Sequence, residues 1–549
     1  MDLHPSVVER LNRLAPDQRA AATAPPGPVL CVAPAGSGKT TTLVARICWL
    51  VASGADPGCV TAVTFNKRAA GELGERLASA LDPLGVVDPP VRVRTFHALG
   101  REILADAGVS VRNLVDRSEA LAAINGRPLS GAQLRRLDDG FSRLKLDLGV
   151  DVARAHQILA EPVSTHPLPA EVMGRFIRYE EWLAEHQALD FDDLVRRALA
   201  LLHADAALLE RWRERCSTLL VDEVQDVDRS QLELAVLLCG ERRDIFLVGD
   251  DDQTIYAWRL ADVRRVLDLA GRLPGLRRVD LVTNYRCPRP VVERAVRLIE
   301  INGERFAKEI RAGPAATGQL ILAPDPGDEL ARARRLLARW YGRAPGIYAV
   351  LARTNAQLAP FAAVALESGI PYRAAEDGLL LDHPGLDALL ANLTSFESQA
   401  ASQPPVLAVA RHAGRDALGR AMCSWAMGMR SLAELREAIE DARVRRAGLR
   451  TDDAQLVLAT SHGTKGLEFD HVACIGFDDG VFPSRRTLEE ADDPQRALEE
   501  ERRLAYVAWT RARRSLTIVY DPAAPSVFVR EAFSDEELGL ANTAFSVAS

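Results

Sequence analysis

The sequence predicts an α/β protein with two parallel-sheet lobes, each interrupted by a mainly helical insertion. Short apolar runs recur along the chain and end abruptly at polar or glycine residues, as buried strands of a parallel sheet do. The runs are Val29–Val32, Val60–Phe65, Leu219–Val221, Ile245–Val248, Val350–Leu351, Leu456–Ala459 and Val472–Ile475. Two long stretches rich in Leu, Ala and Arg at helical spacing separate them. Because functional residues follow the strand ends in both sets, we expect the two lobes to face one cleft.

The alternation of strand-like and helical segments also predicts the domain boundaries. A chain of 549 residues is too long for a single hydrophobic core, so a division into several domains is expected. The expected boundaries are 1–100 and 189–284 for the first lobe, 101–188 for its helical insertion, 285–381 and 454–535 for the second lobe, and 382–453 for its smaller helical insertion.

Composition narrows the class of protein without deciding its function. Hydrophobic residues make up 48% of the chain and charged residues 26%, which is typical of a globular protein. No apolar run reaches the ~18 residues that span a bilayer, and no secretion signal is evident, so a cytoplasmic protein without a membrane partner is expected. The eight cysteines form no Cys-x-x-Cys pair and are expected to be buried thiols. The net charge of −8 leaves nucleic-acid binding open, because a local basic groove with aromatic residues can hold a single strand.

A phosphate-binding loop is predicted between the first strand and the helix that follows it. The segment from Ala33 to Thr40 reads Ala-Pro-Ala-Gly-Ser-Gly-Lys-Thr, and its two glycines let backbone N–H groups face phosphate oxygens. Lys39 can reach the β and γ phosphates of ATP, and the Thr40 hydroxyl can bind Mg²⁺. Ala33 departs from the usual pattern, which has glycine there. The alternative, a glycine-rich turn that binds nothing, is disfavoured by the strand before the loop and the helix after it. The residues expected to bind the nucleotide here are Ala33, Pro34, Ala35, Gly36, Ser37, Gly38, Lys39 and Thr40.

Two adjacent carboxylates are predicted to complete this site. Asp222 ends the apolar run Leu219–Val221 and can hold Mg²⁺, and Glu223 can orient the attacking water. An isolated Asp-Glu pair is more often part of a solvated loop. Together with a phosphate-binding loop, the pair indicates an enzyme that hydrolyses ATP with Mg²⁺.

Further motifs give the chain a resemblance to a known family. In chain order the segments are Leu14–Gln18, Thr64–Ala69, Thr95–His97, Val221–Asp226, Val248–Arg259, Leu281–Arg286, Thr460–Phe469 and Glu499–Arg513. They are similar to the Q motif and to motifs Ia, Ib, II, III, IV, V and VI of superfamily 1 DNA helicases of the UvrD/Rep/PcrA family. The family more often has Thr-Asn-Lys-Ala in motif Ia. The resemblance covers nearly the whole chain, and it implies two RecA-like motor lobes that drive 3′-to-5′ movement on single-stranded DNA.

The resemblance also implies roles for residues around the nucleotide. Gln18 would recognise the adenine edge, and Tyr285 would stack on the base. Gln253 would sense the γ phosphate and link it to the DNA, and Glu468 would support the sugar and phosphates.

Two arginines of the second lobe are implied as catalytic residues. Arg286 and Arg511 would act as arginine fingers, each worth about 10³–10⁵ in rate in enzymes of this kind. A surface salt bridge is the alternative role for a single arginine, and the position of both residues inside matching motifs favours catalysis. The implied catalytic set is Lys39, Asp222, Glu223, Gln253, Arg286 and Arg511.

Aromatic and polar residues of the motifs would hold the DNA strand. Bases can stack on Phe65, Phe191, Tyr256 and Trp258, although an aromatic such as Tyr256 after an apolar strand is often core. The polar residues implied in contacts to the strand are Thr64, Thr95, His97, Arg259, Arg353, Asn355, His462 and Lys465. For the two histidines, a purely structural role is the alternative.

The chain departs from the family in its second insertion, which is shorter than the corresponding domain of UvrD-like helicases. That domain contacts duplex DNA in the family, so autonomous strand separation is in doubt while ATP hydrolysis and translocation are not. One interpretation of the sequence is therefore an autonomous helicase for repair or replication. The other is a motor or ATP-sensing subunit that serves a nuclease in a defence or end-processing complex. A nucleotide-switched binding module is disfavoured because the catalytic set is complete. The expected partners are single-stranded and partly duplex DNA and a nuclease or repair protein, with the chain acting as a monomer or a DNA-induced dimer.

Overall fold

A six-stranded sheet with all strands parallel organises the N-terminal half of the chain. Its strands are β1 (Val29–Val32), β2 (Val60–Thr64), β3 (Arg92–Thr95), β4 (Thr218–Val221), β5 (Ile245–Gly249) and β6 (Arg277–Asp280). Their order across the sheet is β3-β2-β4-β5-β1-β6. Strands β1, β2, β4 and β5 are buried along their whole length, which explains their continuous apolar sequences.

A second six-stranded parallel sheet follows in the C-terminal half. After the short strands β7 (Thr283–Asn284) and β8 (Arg311–Ala312), which pair with each other, its strands are β9 (Gln319–Pro324), β10 (Tyr348–Ala352), β11 (Tyr372–Ala374), β12 (Leu456–Thr460), β13 (Phe469–Cys474) and β14 (Ala512–Tyr520). Their order is β11-β12-β10-β13-β14-β9. The predicted α/β class with two parallel sheets is therefore confirmed.

The structure is a computed structural model, which describes residues 3–86, 91–161, 167–240, 244–374, 381, 383, 385–395, 403–414, 417–447 and 454–539. The chain divides into two units. The first unit comprises Met1–Val282 and Glu304–Glu309, and the second comprises Thr283–Gly303 and Ile310–Ser549. The sequence-based boundary placed all of 285–381 in the second lobe, whereas the short segment 304–309 packs with the first unit.

Helices cover both faces of the first sheet and also form a separate helical body. The helices of the first unit are α1 (Pro5–Asn12), α2 (Pro16–Ala22), α3 (Lys39–Ala52), α4 (Lys67–Leu81), α5 (Phe96–Asp106), α6 (Arg117–Asn125), α7 (Gly131–Ser142), α8 (Val152–Ala160), α9 (Ala170–Glu185), α10 (Asp193–Ala204), α11 (Ala206–Arg215), α12 (Arg229–Cys239), α13 (Val263–Leu267) and α14 (Leu269–Arg272). Helices α6 to α9 have their own apolar core, which includes Phe141, Phe176 and Tyr179. The segment predicted as an insertion at 101–188 thus contains a distinct hydrophobic cluster.

The second unit accommodates its helical segment differently. Its helices are α15 (Arg289–Ile299), α16 (Glu329–Trp340), α17 (Asn355–Glu367), α18 (Leu386–Ser395), α19 (Pro405–His412), α20 (Ala417–Ala426), α21 (Leu432–Ala447), α22 (Arg485–Glu489), α23 (Pro494–Trp509) and α24 (Val527–Ala532). Buried residues of α18 to α21, such as Leu389, Met422 and Ile439, belong to the same apolar cluster as Val350 of β10 and Phe361 of α17. The second helical segment therefore shares the core of its unit.

Two general features of the chain accord with its composition. All eight cysteines are free thiols, and six of them are buried. Among the described residues, the helices lack the length and apolar character that crossing a membrane requires.

Candidate nucleotide and nucleic-acid sites

The predicted phosphate-binding loop leaves β1 at the carboxyl edge of the first sheet. Gly36 and Gly38 have φ angles of 70° and 84°, a left-handed conformation that favours glycine. Gly38 also immediately precedes α3, and a Cβ atom on it would lie only 2.6 Å from Gln18 Nε2. Gln18 packs against the loop because its Nε2 donates a hydrogen bond to Ser37 O at 2.8 Å. The structure thus brings Gln18 and the loop residues Ala33 to Thr40 together at the start of a helix.

Asp222 and Glu223, the carboxylates predicted to be catalytic, lie at the same edge, because β4 ends beside β5 and β5 beside β1. Lys39 Nζ donates to Glu223 Oε2 at 2.9 Å. Burial works against the charged form of Lys39, but the carboxylates of Glu223, Asp222 and Asp250 outweigh it and raise the pKa of Lys39. Burial, reinforced by the neighbouring Glu223, raises the pKa of Asp222 to about 7. A cation bound at Asp222 would favour its ionised form.

Glu223 occupies a backbone conformation that is unusual for its residue type. Its φ is 51°, in the left-handed region where a non-glycine residue is strained. Besides Lys39, its Oε2 accepts a hydrogen bond from Gln225 Nε2 at 2.5 Å. Gln225 Oε1 in turn accepts from the backbone N–H of Asp250 at 3.0 Å. A continuous hydrogen-bonded path therefore joins Lys39 to the end of β5.

Gln253 is held at the end of this path. Its Nε2 donates to Asp250 Oδ2 at 2.7 Å, and the side chain is buried. The predicted residues Lys39, Asp222, Glu223 and Gln253 are thus brought together in the first unit. Sequence reasoning missed Gln225 and Asp250, which connect them.

The remaining predicted nucleotide residues belong to the second unit. Arg286 Nε donates to Glu468 Oε2 at 2.8 Å, and its Nη1 donates to Thr510 O at 3.2 Å. Arg511 is buried and donates to the carbonyl oxygens of Val507 and Leu467. Tyr285, adjacent to Arg286, has half of its surface exposed. The structure therefore places Arg286, Glu468 and Arg511 close together, with Tyr285 next to Arg286 in the chain.

A groove with exposed aromatic residues lies in the first unit, with a cavity of about 560 Å³. Phe191 and Trp258 are 53% and 55% exposed, which is unusual for large apolar side chains and is typical of a binding surface. The His97 ring stacks under Phe191, with 3.9 Å between the centroids. Predicted strand-binding residues that line the groove are Phe65, Thr95, His97, Phe191, Trp258 and Arg259.

Tyr256 extends the aromatic surface of the groove. Its ring stacks on Phe65 with 5.2 Å between the centroids and an interplanar angle of 10°, and it meets Trp258 edge to face. Thr64, in contrast, is fully buried at the end of β2, and its hydroxyl donates to Asn66 O at 3.2 Å. The structure places five predicted aromatic or imidazole rings on one surface and turns the Thr64 side chain inward.

The acidity of this groove was not anticipated from the sequence. The aspartates that line it are Asp116, Asp138, Asp139, Asp190, Asp192, Asp226 and Asp228. Arg117 binds Asp190 at 2.8 Å and Asp192 at 2.7 Å, and the buried Lys145 binds Asp190 at 2.8 Å. Burial raises the pKa of Asp228 to about 7, so part of its population is neutral near that pH. Pairing and protonation thus reduce the negative charge that a nucleic-acid strand would meet.

The two predicted histidines are neutral near pH 7. Burial lowers the pKa of His97 to about 4 despite the nearby Asp192, and burial with the adjacent Arg353 lowers that of His462 to about 4. They can therefore form hydrogen bonds with a strand but supply no charge.

In the second unit, the residues predicted to contact the DNA follow the carboxyl ends of two neighbouring β-strands. Arg353 and Asn355 follow β10, and His462 and Lys465 follow β12. Arg353 is paired with the buried Glu501, with Nε–O distances of 2.9 Å. The structure thus gathers these four residues at one sheet edge and gives Arg353 an internal partner that the sequence did not reveal.

The fold and the first site define a P-loop nucleotide-binding protein of the α/β class, with an aromatic groove in the same unit. Residues 14–274 match the family model for the UvrD/REP helicase N-terminal domain, and residues 423–522 match that for the UvrD-like helicase C-terminal domain. The chain therefore belongs to the UvrD/Rep helicase family.

Named relatives align over most of the chain. The ATP-dependent DNA helicase UvrD2 of Mycobacterium tuberculosis is 33% identical over 559 residues, covering 91% of this chain and 77% of the relative. DNA helicase II of Escherichia coli is 28% identical over 627 residues, covering 93% of this chain and 84% of the relative. The ATP-dependent DNA helicase UvrD1 of Mycobacterium tuberculosis is 28% identical over 648 residues, covering 92% and 82%.

Proposed function

We propose that this protein is an ATP-driven motor that moves 3′ to 5′ along single-stranded DNA and opens duplex DNA during repair or replication. The observation that carries the proposal lies in one short segment after β5. Gln253, which is tied to the ATP site through Asp250, stands five residues before the exposed Trp258 of the groove. A change at the γ phosphate would therefore reach the strand-binding surface through a few backbone bonds.

The residues of the first site fit MgATP. The Ser37 hydroxyl oxygen is buried and has no hydrogen-bond partner among the described residues, so it is available to form a hydrogen bond with a phosphate. Thr40 and Asp222 offer the oxygen ligands that Mg²⁺ prefers. No group of three or more His, Cys, Asp or Glu side chains in the described part of the chain could hold a metal ion by itself. Mg²⁺ held by Thr40 and Asp222 together with the nucleotide phosphates would neutralise phosphate charge during hydrolysis.

The protein side chains would then divide the chemistry among them. Lys39, charged at neutral pH and held by Glu223, would bind the β and γ phosphates. When the nucleotide draws Lys39 away, Glu223 becomes available to orient water and accept its proton. Arg286 and Arg511 of the second unit would supply positive charge to the transferring phosphoryl group.

The groove would hold the strand mainly through stacking. Its open aromatic faces accept any base, and each stacked base contributes about 1–3 kcal/mol. Arg259 lies 4.7 Å from the Trp258 ring centroid and would contact a phosphate beside a stacked base. Because stacking does not depend on charge, and because aspartates of the groove are paired or partly protonated, a net charge of −8 is compatible with binding a polyanion.

A second candidate function is a motor or ATP-sensing subunit of a nuclease-containing complex. The packing of α18 to α21 into the core of the second unit favours it, because these helices do not form a separate body that could hold a duplex. Under this alternative the chain would translocate but require a partner to separate strands.

Strand displacement on 3′-tailed and 5′-tailed duplexes, with and without ATP, tests both candidates. Opening of the 3′-tailed duplex alone supports the autonomous motor. ATP hydrolysis stimulated by single strands without strand opening supports the subunit role. Absence of DNA-stimulated hydrolysis would exclude both.

A further inference from the structure

A short segment that carries two cations and two anions enters the first unit from a stretch of chain that otherwise belongs to the second. Residues Glu304–Glu309 pack with the first unit, whereas the residues immediately before and after them belong to the second. The segment carries two cations, Arg305 and Lys308. Both contact the acidic turn Asp250–Asp252 that follows β5.

The contacts of Lys308 are closely arranged. Its Nζ lies 2.9 Å from Asp250 Oδ1 and 3.0 Å from Asp252 Oδ2, and it also binds Asp251. Arg305 binds Asp252 alone of the three, through two hydrogen bonds of 2.9 and 2.8 Å. The side chains of Lys308 and of the three aspartates are fully buried.

Burying these charges is costly unless they remain paired. Burial opposes the charged form of Lys308, but Asp250, Asp252 and Asp251 outweigh it and raise the pKa of the lysine. Burial also raises the pKa of Asp251 to about 6, although Lys308 opposes that shift. Lys308 is therefore charged at neutral pH, and removing it would leave Asp250 without its buried cation.

Asp250 divides its carboxylate between Lys308 and the ATP site. Its Oδ1 accepts from Lys308 Nζ, and its Oδ2 accepts from Gln253 Nε2 at 2.7 Å. Its backbone N–H also joins the path that leads through Gln225 to Glu223. The Gln253 amide is thus oriented by one oxygen of the Asp250 carboxylate, while Lys308 binds the other oxygen.

We propose that Lys308 is a positioning residue for ATP hydrolysis, which fixes Asp250 and thereby aims Gln253 at the γ phosphate. The inference rests on the proposed function, because it takes Gln253 as the residue that senses the phosphate. The chain passes into the second unit on both sides of 304–309. Lys308, which contacts Asp250 and through it Gln253, therefore lies between two points at which the chain changes unit. The alternative is that Lys308 only anchors the segment.

Arg305 provides a matched control, because it anchors the same segment without touching Asp250. We expect Lys308→Met to lower kcat for DNA-stimulated ATP hydrolysis about 10- to 100-fold, with KM for ATP within about threefold of wild type, since a misaligned group costs rate more than ground-state binding. Arg305→Met should retain kcat within about threefold. Binding of a fluorescent ATP analogue would measure the fraction of folded sites in each variant. Equal kcat values for the two variants, per folded site, would overturn the proposal.

A double variant covers the case in which Lys308→Met fails to fold. Lys308→Met combined with Asp250→Asn removes one of the two carboxylates that lose their cation; the other is Asp251, whose pKa burial already raises and which can take up a proton. The new carboxamide cannot be held from both sides as the carboxylate was. We expect this protein to fold, to bind the ATP analogue and to hydrolyse ATP slowly. Wild-type kcat in the double variant would refute the positioning role. A wild-type protein whose hydrolysis does not respond to DNA would instead refute the proposed function, so the two failures are distinguishable.

Discussion

The aromatic groove yields a prediction whose size follows from the geometry of Phe191. One face of this ring rests on His97 at a centroid distance of 3.9 Å, and the side chain is 53% exposed. A base can therefore stack on the open face without first ordering the ring. Because one base–aromatic stack contributes about 1–3 kcal/mol, Phe191→Ala should raise the Kd for single-stranded DNA roughly 5- to 150-fold.

The dependence of binding on salt distinguishes stacking from charge. Anisotropy of a labelled oligothymidine, titrated without ATP over a range of salt concentrations, gives both the Kd and its salt slope. Phe191→Ala should leave the slope unchanged, whereas Arg259→Ala should reduce it by about 0.7, the value for one phosphate contact on a single strand. Val444→Ala is the control, since Val444 is an exposed apolar residue of α21 in the second unit. A Kd for Phe191→Ala within about twofold of the control, or a slope that falls as it does for Arg259→Ala, would contradict base stacking at this ring.

Three further predictions concern catalysis and stability. Lys39→Ala should abolish DNA-stimulated ATP hydrolysis, measured by phosphate release, while strand binding by anisotropy persists; near wild-type turnover would disprove the loop assignment. Arg286→Ala should slow hydrolysis by about 10³-fold or more with little loss of nucleotide affinity, and equal loss of both would make Arg286 structural. Asp228→Asn should raise the Tm at about pH 8 but not at about pH 5. Burial raises the pKa of this carboxyl to about 7, so the folded state retains a proton that the unfolded state loses, and stability falls by up to about 4 kcal/mol as pH rises from about 4 to 7. Asparagine can still accept the helix-capping hydrogen bond from Gln231 N; a gain that is equal at both pH values would contradict this origin.

The strands that the sequence predicted share one property, which is burial on both faces. Runs such as Ile245–Val248 are continuously apolar because helices cover each side of the sheet. The edge strand β6 (Arg277–Asp280) escaped prediction because its first two arginines are exposed. Strand β14, which lies next to the edge strand β9, escaped because Arg513 and Arg514 follow its first residue and precede its buried half, Leu516–Tyr520. Apolar continuity therefore reveals the centre of a parallel sheet better than its edges.

The part of the candidate site that could be predicted from the sequence consists of residues that lie close together in the chain. The spacing of Gly36, Gly38 and Lys39 specifies a loop whose shape depends only on neighbouring residues. The role of Asp250 was hidden, because three consecutive aspartates are usually a solvated turn and their partner Lys308 lies more than fifty positions later. One signal was present in retrospect: an acidic run placed directly after a fully buried strand requires a cation from elsewhere in the chain.

The insertion of Glu304–Glu309 into the first unit limits how the chain can be divided. The chain passes between the units after Val282, after Gly303 and after Glu309, so no single cut yields two complete halves. A fragment that ends at Val282 would contain the whole first sheet and the loops that carry Lys39, Glu223 and Gln253, but neither Arg286 nor Arg511 of the second unit. It would nevertheless keep Asp250, Asp251 and Asp252 without the lysine and arginine that neutralise them. A peptide spanning 304–309, added in trans, would supply both missing cations, so we expect it to raise the Tm of such a fragment.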